Sequence, residues 1–353
     1  MTDVPDVSGT RDVHGDTGLL VRWREVLRTT NPPALGPGQH IDPVSKWLVL
    51  TRAAVLPMTL TAGLVAGLLA VRQDGFHYGY FALALLGITL AHVSNNLMND
   101  LFDSEVGLDT SSYPRALYAP HPILSGMITR RGLALAVLSV NVADLAIGLV
   151  LFSVRGWPVL AFAIAGFLLS AAYTAPPLRL KKRGLGEPDV FIVWGPLMVG
   201  GTYYCAVGAL PWAVIAASIP YGLLCTAVLM GKHIDKIPWD APAGVRTVPV
   251  LLGEDRSRVL TRGLMIGYYV AVVGCVLVGA LPWPALAVVG ALPVLVTSLQ
   301  PLREPRPAAP PAGFPVWPLW FAAIAFVHTR RAGALLILGL TGAAIADISA
   351  PGL

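Results

Sequence analysis

Nine stretches of roughly twenty apolar residues recur along this chain, and a segment of that length matches the hydrocarbon thickness of a bilayer. They fall at about 48–71, 78–98, 132–153, 157–174, 188–207, 211–231, 263–280, 282–299 and 332–349. In lipid the backbone must satisfy its own hydrogen bonds, so the pattern predicts an all-α polytopic membrane protein with nine transmembrane helices. Composition agrees. Of 353 residues, 55% are hydrophobic and 13% charged, about half the charged share of a soluble domain. The first 40 residues are polar and mixed in charge, which predicts no cleaved secretory leader.

The basic residues orient the bundle. With the N-terminus in the cytoplasm, Lys and Arg gather before the first span and in the 2–3, 4–5, 6–7 and 8–9 connections. Only Arg72 and Arg155 fall on the other side. That asymmetry predicts a plasma-membrane protein of a prokaryotic cell with its long loops inside. The net charge of +5 is then matched by membrane lipids, and no nucleic-acid partner is implied. Cys205, Cys225 and Cys275 all lie in apolar runs and read as packing residues.

Residues 1–44 read as a cytoplasmic extension and 45–353 as the membrane domain. Within the extension, "TGLLVRWREVLRTT" has the pattern of an amphipathic helix on the membrane surface. Near the other end, "PLREPRPAAPPAGFPVWP" is too rich in proline for a helix and reads as an extended loop. The following "LWFAAIAFVHTRR" reads as a short interfacial helix. Spans 2 and 6 both end at the cytoplasmic face in Asp-bearing segments, an echo suited to a bundle around a shared central cavity.

Those two ends hold the chemistry. Asn96, Asn99, Asp100 and Asp103 are spaced i, i+3, i+4 and i+7 and share one helix face, and Asp109 follows Gly107 in a turn. Asp235 and Asp240 lie beyond span 6. Solvated helix ends are the plain alternative, yet two acidic clusters close the same side of the bundle, and ionisable groups near membrane depth are usually functional. Carboxylates and amides without cysteine suit a hard cation. Mg²⁺ takes one or two carboxylates and completes its shell with water and substrate phosphates. Arg115, Arg179, Lys181, Lys182, Arg183, Lys232, Lys236 and Arg246 are placed to meet such an anion. A diphosphate at the membrane face with an apolar cavity behind it describes a polyprenyl diphosphate.

Here the sequence resembles a family. "NDLFDSEVGLD" is similar to the N-D-x-x-D-x-x-x-G-x-D signature of the UbiA-type intramembrane prenyltransferases, nearest the branch that prenylates 1,4-dihydroxy-2-naphthoate in menaquinone synthesis. "TRAAVLPMTLTAGLVAG" resembles the family's first helix, with Arg52 at its arginine and alanine replacing the following proline. "AYTAPPLRLKKRGLGEPDVFIVWGPLMVGGTYY" resembles the 4–5 loop and fifth helix, and "AGVRTVPVLLG" the stretch after the second Asp motif. The resemblance covers roughly 46–349. It implies nine helices around a cavity and Mg²⁺-dependent prenyl transfer, with two or more ions, to a lipophilic aromatic acceptor. Asp100, Asp103, Asp109, Asp235 and Asp240 are then the expected metal ligands. Arg52, Asn96, Asn99, Arg115, Lys181, Lys182, Lys232 and Lys236 are the expected diphosphate contacts.

One departure stands out. The family's second motif is D-x-x-x-D, whereas Asp235 and Asp240 are five apart. Four residues on a helix leave side chains about 40° apart, five about 140°. Either Pro238 breaks the helix and returns both carboxylates to the cavity, or Asp240 aligns with Lys236 and a cation replaces one ligand. Tyr173 is the expected aromatic face for the allylic cation, with Tyr203 and Tyr204 behind it. His233 is a candidate base beside its reading as a structural residue, and His92 reads as a packed polar group. The altered motif also admits a terpene cyclase acting without acceptor on the same scaffold. A transporter fits the acidic ends poorly.

Overall fold

The computed structural model describes residues 18–29, 31–33, 40–103 and 121–353. It is all-helical among them. A surface helix α1 (Leu19–Thr29) is followed by α2 (Pro43–Leu50), a 3₁₀ turn over Ala53–Val55, and α3 (Pro57–Ala70). The bundle continues with α4 (Tyr78–Asp103), α5 (Arg130–Arg155), α6 (Trp157–Thr174), α7 (Gly186–Val207) and α8 (Trp212–Asp240). The short α9 (Val248–Leu252), then α10 (Glu254–Leu277), α11 (Trp283–Leu299) and α12 (Trp320–Ile345) complete it.

Among the described residues, eight helical segments are long and apolar enough to cross a membrane: Ala53–Ala70, α4, α5, α6, α7, α8, α10 and α12. The expected eighth span at 282–299 is shorter. Its first nine residues form a 3₁₀ helix and its last eight an α-helix. At about 2.0 and 1.5 Å per residue it extends roughly 30 Å. The last span also differs from expectation. "LWFAAIAFVHTRR" is no separate interfacial piece, because the helix runs unbroken from Trp320 to Ile345. Arg330 lies over the Phe326 ring at 5.8 Å, which shields its stem as the helix passes through.

At the amino end, α1 has the amphipathic character its sequence predicts. Leu19, Leu20 and Val21 are exposed while Arg22 and Val26 are buried. The Trp23 indole donates to Asp42 Oδ1 at 3.0 Å, and the same oxygen caps α2 by accepting from Ser45 N. The cap thereby fastens the surface helix to α2, just before the first span. The three cysteines are buried and free, as packing residues should be.

The centre of the bundle is α8, which packs on α10 and α12, and its lower end has two faces. Gly231 and Asp235 look toward the start of α12. Phe321 N and Ala322 N donate to the two Asp235 carboxylate oxygens at 3.0 and 2.9 Å. These are orphan amides of a helix's first turn, and an anion there also meets the positive end of the helix dipole. Arg306 reinforces the joint from the proline-rich 301–318 segment, donating to the Asp235 and Pro318 carbonyls and lying over the rings of Trp239 and Trp317. One turn above, a β-carbon on Gly231 would lie 2.6 Å from the Phe321 carbonyl oxygen, so only glycine permits this approach.

Two stability predictions follow from that joint. Gly231→Ala should force α8 and α12 apart at an overpacking cost of about 1–3 kcal/mol, lowering the melting point in detergent followed by circular dichroism. Asp235→Ala should lower it through loss of the cap, worth about 0.5–2 kcal/mol, with Asp235→Asn intermediate.

Candidate active site

The first acidic cluster is assembled by three chain segments converging on the end of α4. Asp100 is fully buried and Asn96 and Asn99 nearly so. Arg52 Nη2 meets Asp100 Oδ1 at 2.5 Å. It reaches it from a left-handed backbone (φ 52°, ψ 48°) between α2 and the 3₁₀ turn. For a residue with a β-carbon that conformation costs on the order of 1 kcal/mol, and strain of this kind gathers where geometry matters to function. Asn96 Nδ2 donates to the neighbouring Thr51 carbonyl at 3.0 Å. His121 Nε2 lies 3.1 Å from the Asp100 carbonyl oxygen.

The connection between α6 and α7 supplies the third segment. Arg179 is also left-handed (φ 46°), and it too precedes a 3₁₀ turn, Leu180–Lys182. Lys181 Nζ donates from this turn to Asn99 Oδ1 at 2.7 Å. Two basic turns built alike therefore flank one α4 face. The Lys182 carbonyl accepts from Arg246 N at 3.1 Å, holding the turn to the segment after α8. The side chain of Asp103, at the end of α4, lies outside the described residues, as do Asp109 and Arg115.

Across the mouth, α8 presents its second face. Lys232, Lys236 and Asp240 follow at four-residue intervals, and Lys236 Nζ pairs with Asp240 Oδ1 at 3.3 Å. The helix continues through Pro238 to Asp240, so the expected break at that proline does not occur. Asp235, an expected metal ligand, is engaged elsewhere. Its side chain is turned about 100° from that of Lys236, and both its oxygens are taken by the α12 amides. The position facing Asp240 one turn away is Lys236.

A cavity of about 920 Å³ opens behind the clusters. Arg52, Asn96, Asn99, Tyr173 and Lys232 are on its wall, which is otherwise largely apolar. Along α4 it reaches from Asn99 to Ala84, about 22 Å at helical rise. Tyr173 is buried near the end of α6, within reach of the first cluster. A β-carbon on Gly186 would lie 3.3 Å from its ring and 3.1 Å from Lys181 Cα, so that glycine lets α7 start against both. Tyr173 and Tyr203 both belong to the main core, but only Tyr173 is also on the cavity wall, and Tyr204 donates to the Arg155 carbonyl at 2.9 Å toward the opposite end of α5.

The histidines are structural in their contacts. His233 Nδ1 meets Glu187 Oε1 at 2.7 Å, both buried, tying α7 to α8. His92 pairs with Thr59 Oγ1 at 2.7 Å and meets the Trp194 ring edge-on at 5.1 Å. Two cavity-wall carboxylates escaped the sequence analysis, Asp144 in mid-α5 and Asp189 in the first turn of α7. An acid within an apolar run was the available signal.

The donor set bears on the expected ion. Asp100, Asn96 and Asn99 offer oxygen ligands of the kind Mg²⁺ accepts. Among the described residues no three carboxylates, histidines or cysteines gather to form a protein-only metal site. A hard ion completed by water and phosphate fits the α4 cluster; the α8 face adds one carboxylate and two lysines.

Comparison with known proteins is consistent with this geometry. Residues 58–324 match the UbiA prenyltransferase family. The chain is 28% identical over 250 residues to the 2-carboxy-1,4-naphthoquinone phytyltransferase of Synechocystis, covering 70% of this chain and 77% of that one. It is 30% identical over 272 residues to the 1,4-dihydroxy-2-naphthoate octaprenyltransferase of Mycobacterium tuberculosis, covering 74% and 87%. In fold it is similar to a UbiA homolog from Archaeoglobus fulgidus bound to DMAPP and Mg²⁺ (TM-score 0.50, 17% identity, 82% of this chain and 99% of that one). With three-quarters of its length inside the matched region and Arg52, Asp100 and Lys181 gathered at one mouth, this chain belongs to the UbiA prenyltransferase family.

Proposed function

We propose that this prenyltransferase moves a prenyl group from a polyprenyl diphosphate to an aromatic naphthoate acceptor of the 1,4-dihydroxy-2-naphthoate kind, in a Mg²⁺-dependent reaction. The observation that carries this reading is a cationic mouth over an acidic helix end, opening directly into a long apolar cavity. The names of the naphthoate-acting relatives support the acceptor class. Nine crossings with a cytoplasmic N-terminus, in a prokaryotic plasma membrane, put that mouth on the side where diphosphates are made.

Each part of the site has a task. Asp100 and Asp103, with Asp109, would hold the metal on α4, and Asp240 would do so from α8. When bound, Mg²⁺ neutralises charge on the leaving diphosphate. Arg52, Lys181, Lys232 and Lys236 add fixed positive charge where the leaving group's charge grows, which lowers the barrier without reorganisation. Lys182 and Arg115 extend this basic rim. Asn96 and Asn99 hold Thr51 and Lys181 in register on α4. Tyr173 turns an aromatic face to the allylic cation, and the apolar wall keeps water from capturing it. The acceptor ring then attacks, and loss of a proton or CO₂ restores its aromaticity.

Lys236 in place of a second-motif carboxylate reduces the number of anions available to ions on α8. A lysine reaching the diphosphate directly supplies the same charge there, so this half of the mouth depends less on metal.

The test is turnover of purified protein with Mg²⁺, a labelled polyprenyl diphosphate and 1,4-dihydroxy-2-naphthoate. Prenylated naphthol should form only with acceptor present. A hydrocarbon or alcohol formed equally well without acceptor would replace this reading with the cyclase. Asp100→Ala should reduce kcat/KM by at least 100-fold, whereas kcat/KM of the folded fraction of Asp235→Ala should stay within about fivefold of the parent.

A further inference from the structure

Inside the cavity, several polar groups find no partner among the described residues. Ser94, Asp189, Trp194 and Thr202 all stand on its wall. Ser94 Oγ, Asp189 Oδ1, Trp194 Nε1 and Thr202 Oγ1 are each buried without a hydrogen bond. Buried polar atoms are paired in the great majority of cases, and four exceptions around one cavity call for a physical cause. Asp189 is the most demanding. It is 6% exposed, in a span, and forms no ion pair among the described residues.

Asp189 and Trp194 stand toward the mouth, whereas Thr202, thirteen residues past Asp189, lies about 20 Å deeper along α7. Asp189 follows Gly186, the seat of Tyr173 and Lys181, by one helical turn. Trp194 meets His92 on α4, and Ser94 lies two residues further along that helix. Ser94 is six residues from Asp100, about 9 Å along the axis. Trp194 belongs to a π-helical stretch, Val193–Gly200, whose Gly195 departs from helical geometry (φ −89°, ψ −106°) beside Pro196. Such stretches recur at functional sites.

Their chemistry is specific. A carboxyl oxygen accepts, an indole N–H only donates, and hydroxyls do either. A prenyl chain is hydrocarbon and answers none of them. A ring carrying both a hydroxyl and an acceptor oxygen answers the set, and the soft terminal torsion of Asp189 lets either of its oxygens meet that hydroxyl. We propose that Asp189 and Trp194 form the docking site for the oxygenated ring of the acceptor, with Asp189 accepting from a ring hydroxyl and Trp194 donating to a ring oxygen. The inference rests on the prenyl-transfer reading above and adds the residues that select the acceptor.

The experiment compares Asp189→Asn and Trp194→Phe with the parent in nanodiscs. Binding of 1,4-dihydroxy-2-naphthoate under argon is read by calorimetry, with 2-naphthoate, which lacks ring hydroxyls, as the control. Steady-state KM values for both substrates are measured beside it. Asp189→Asn should weaken dihydroxynaphthoate binding and raise its KM at least tenfold, leave 2-naphthoate binding unchanged, and keep KM for the prenyl diphosphate within twofold. Trp194→Phe should weaken the dihydroxy compound about threefold or more, and it decides the matter should Asp189→Asn not fold. Normal parent turnover with unchanged dihydroxynaphthoate binding in the variants would overturn this inference alone. So would equal losses for both substrates. A parent that neither binds nor prenylates the naphthoate overturns the functional reading and this inference together.

Discussion

Asp100 is fully buried, and an anion withdrawn from water costs several kcal/mol unless cations and donors meet it closely. Arg52 meets it, and to do so its backbone takes a conformation that β-carbon-bearing residues avoid. Much of the mouth depends on that contact. It draws the turn after α2 onto α4, where Asn96 binds the Thr51 carbonyl, and it leaves the neighbouring amide of Asn99 for Lys181. A single buried carboxylate thus arranges two basic turns around one helix face. The same arrangement suits a multiply charged anion, because the cations are already oriented before any ligand arrives.

Across the mouth, α8 divides its acidic residues between two tasks. Asp235 serves the architecture, closing the first turn of α12, and Asp240 stays with Lys236 on the other face. One residue of offset decides this division, since neighbours on a helix point about 100° apart. The mouth consequently holds its negative charge mainly on α4 and its positive charge on α8 and the two turns. Such asymmetry orients a diphosphate, with one edge toward metal and the other toward lysine.

The cavity has an unequal lining for a related reason. A prenyl chain asks only for apolar wall, which the small and aliphatic residues of α4, α5 and α6 supply. Polar orphans persist on α7 and on α4 beside it. An apolar bundle tolerates unpaired groups only where something else pairs with them. The wall that is polar is also the wall nearest Tyr173, where the two substrates of a transferase must meet.

Much of this was legible in the chain itself. Apolar length marked the spans, because lipid admits only helices that satisfy their own backbone. The i, i+3, i+4 spacing put Asn96, Asn99 and Asp100 on one face, since that follows from helical geometry alone. The run through Trp320 to Ile345 was misread because its Arg330 and Arg331 resemble a boundary; only packing shows one helix carrying them. Asp235 could not be assigned from sequence for the same kind of reason. Its i+5 spacing from Asp240 stated that the two diverge, whereas the α12 amides that claim it lie 86 residues away. Asp189 was passed over because an acid beside a helix start looks solvated until the wall around it is known. Sequence determined which helices exist and which residues share a face, for these are local consequences of periodicity and solvent. Tertiary structure alone decided which carboxylate is answered by a cation, which by a helix end, and which is left for a ligand.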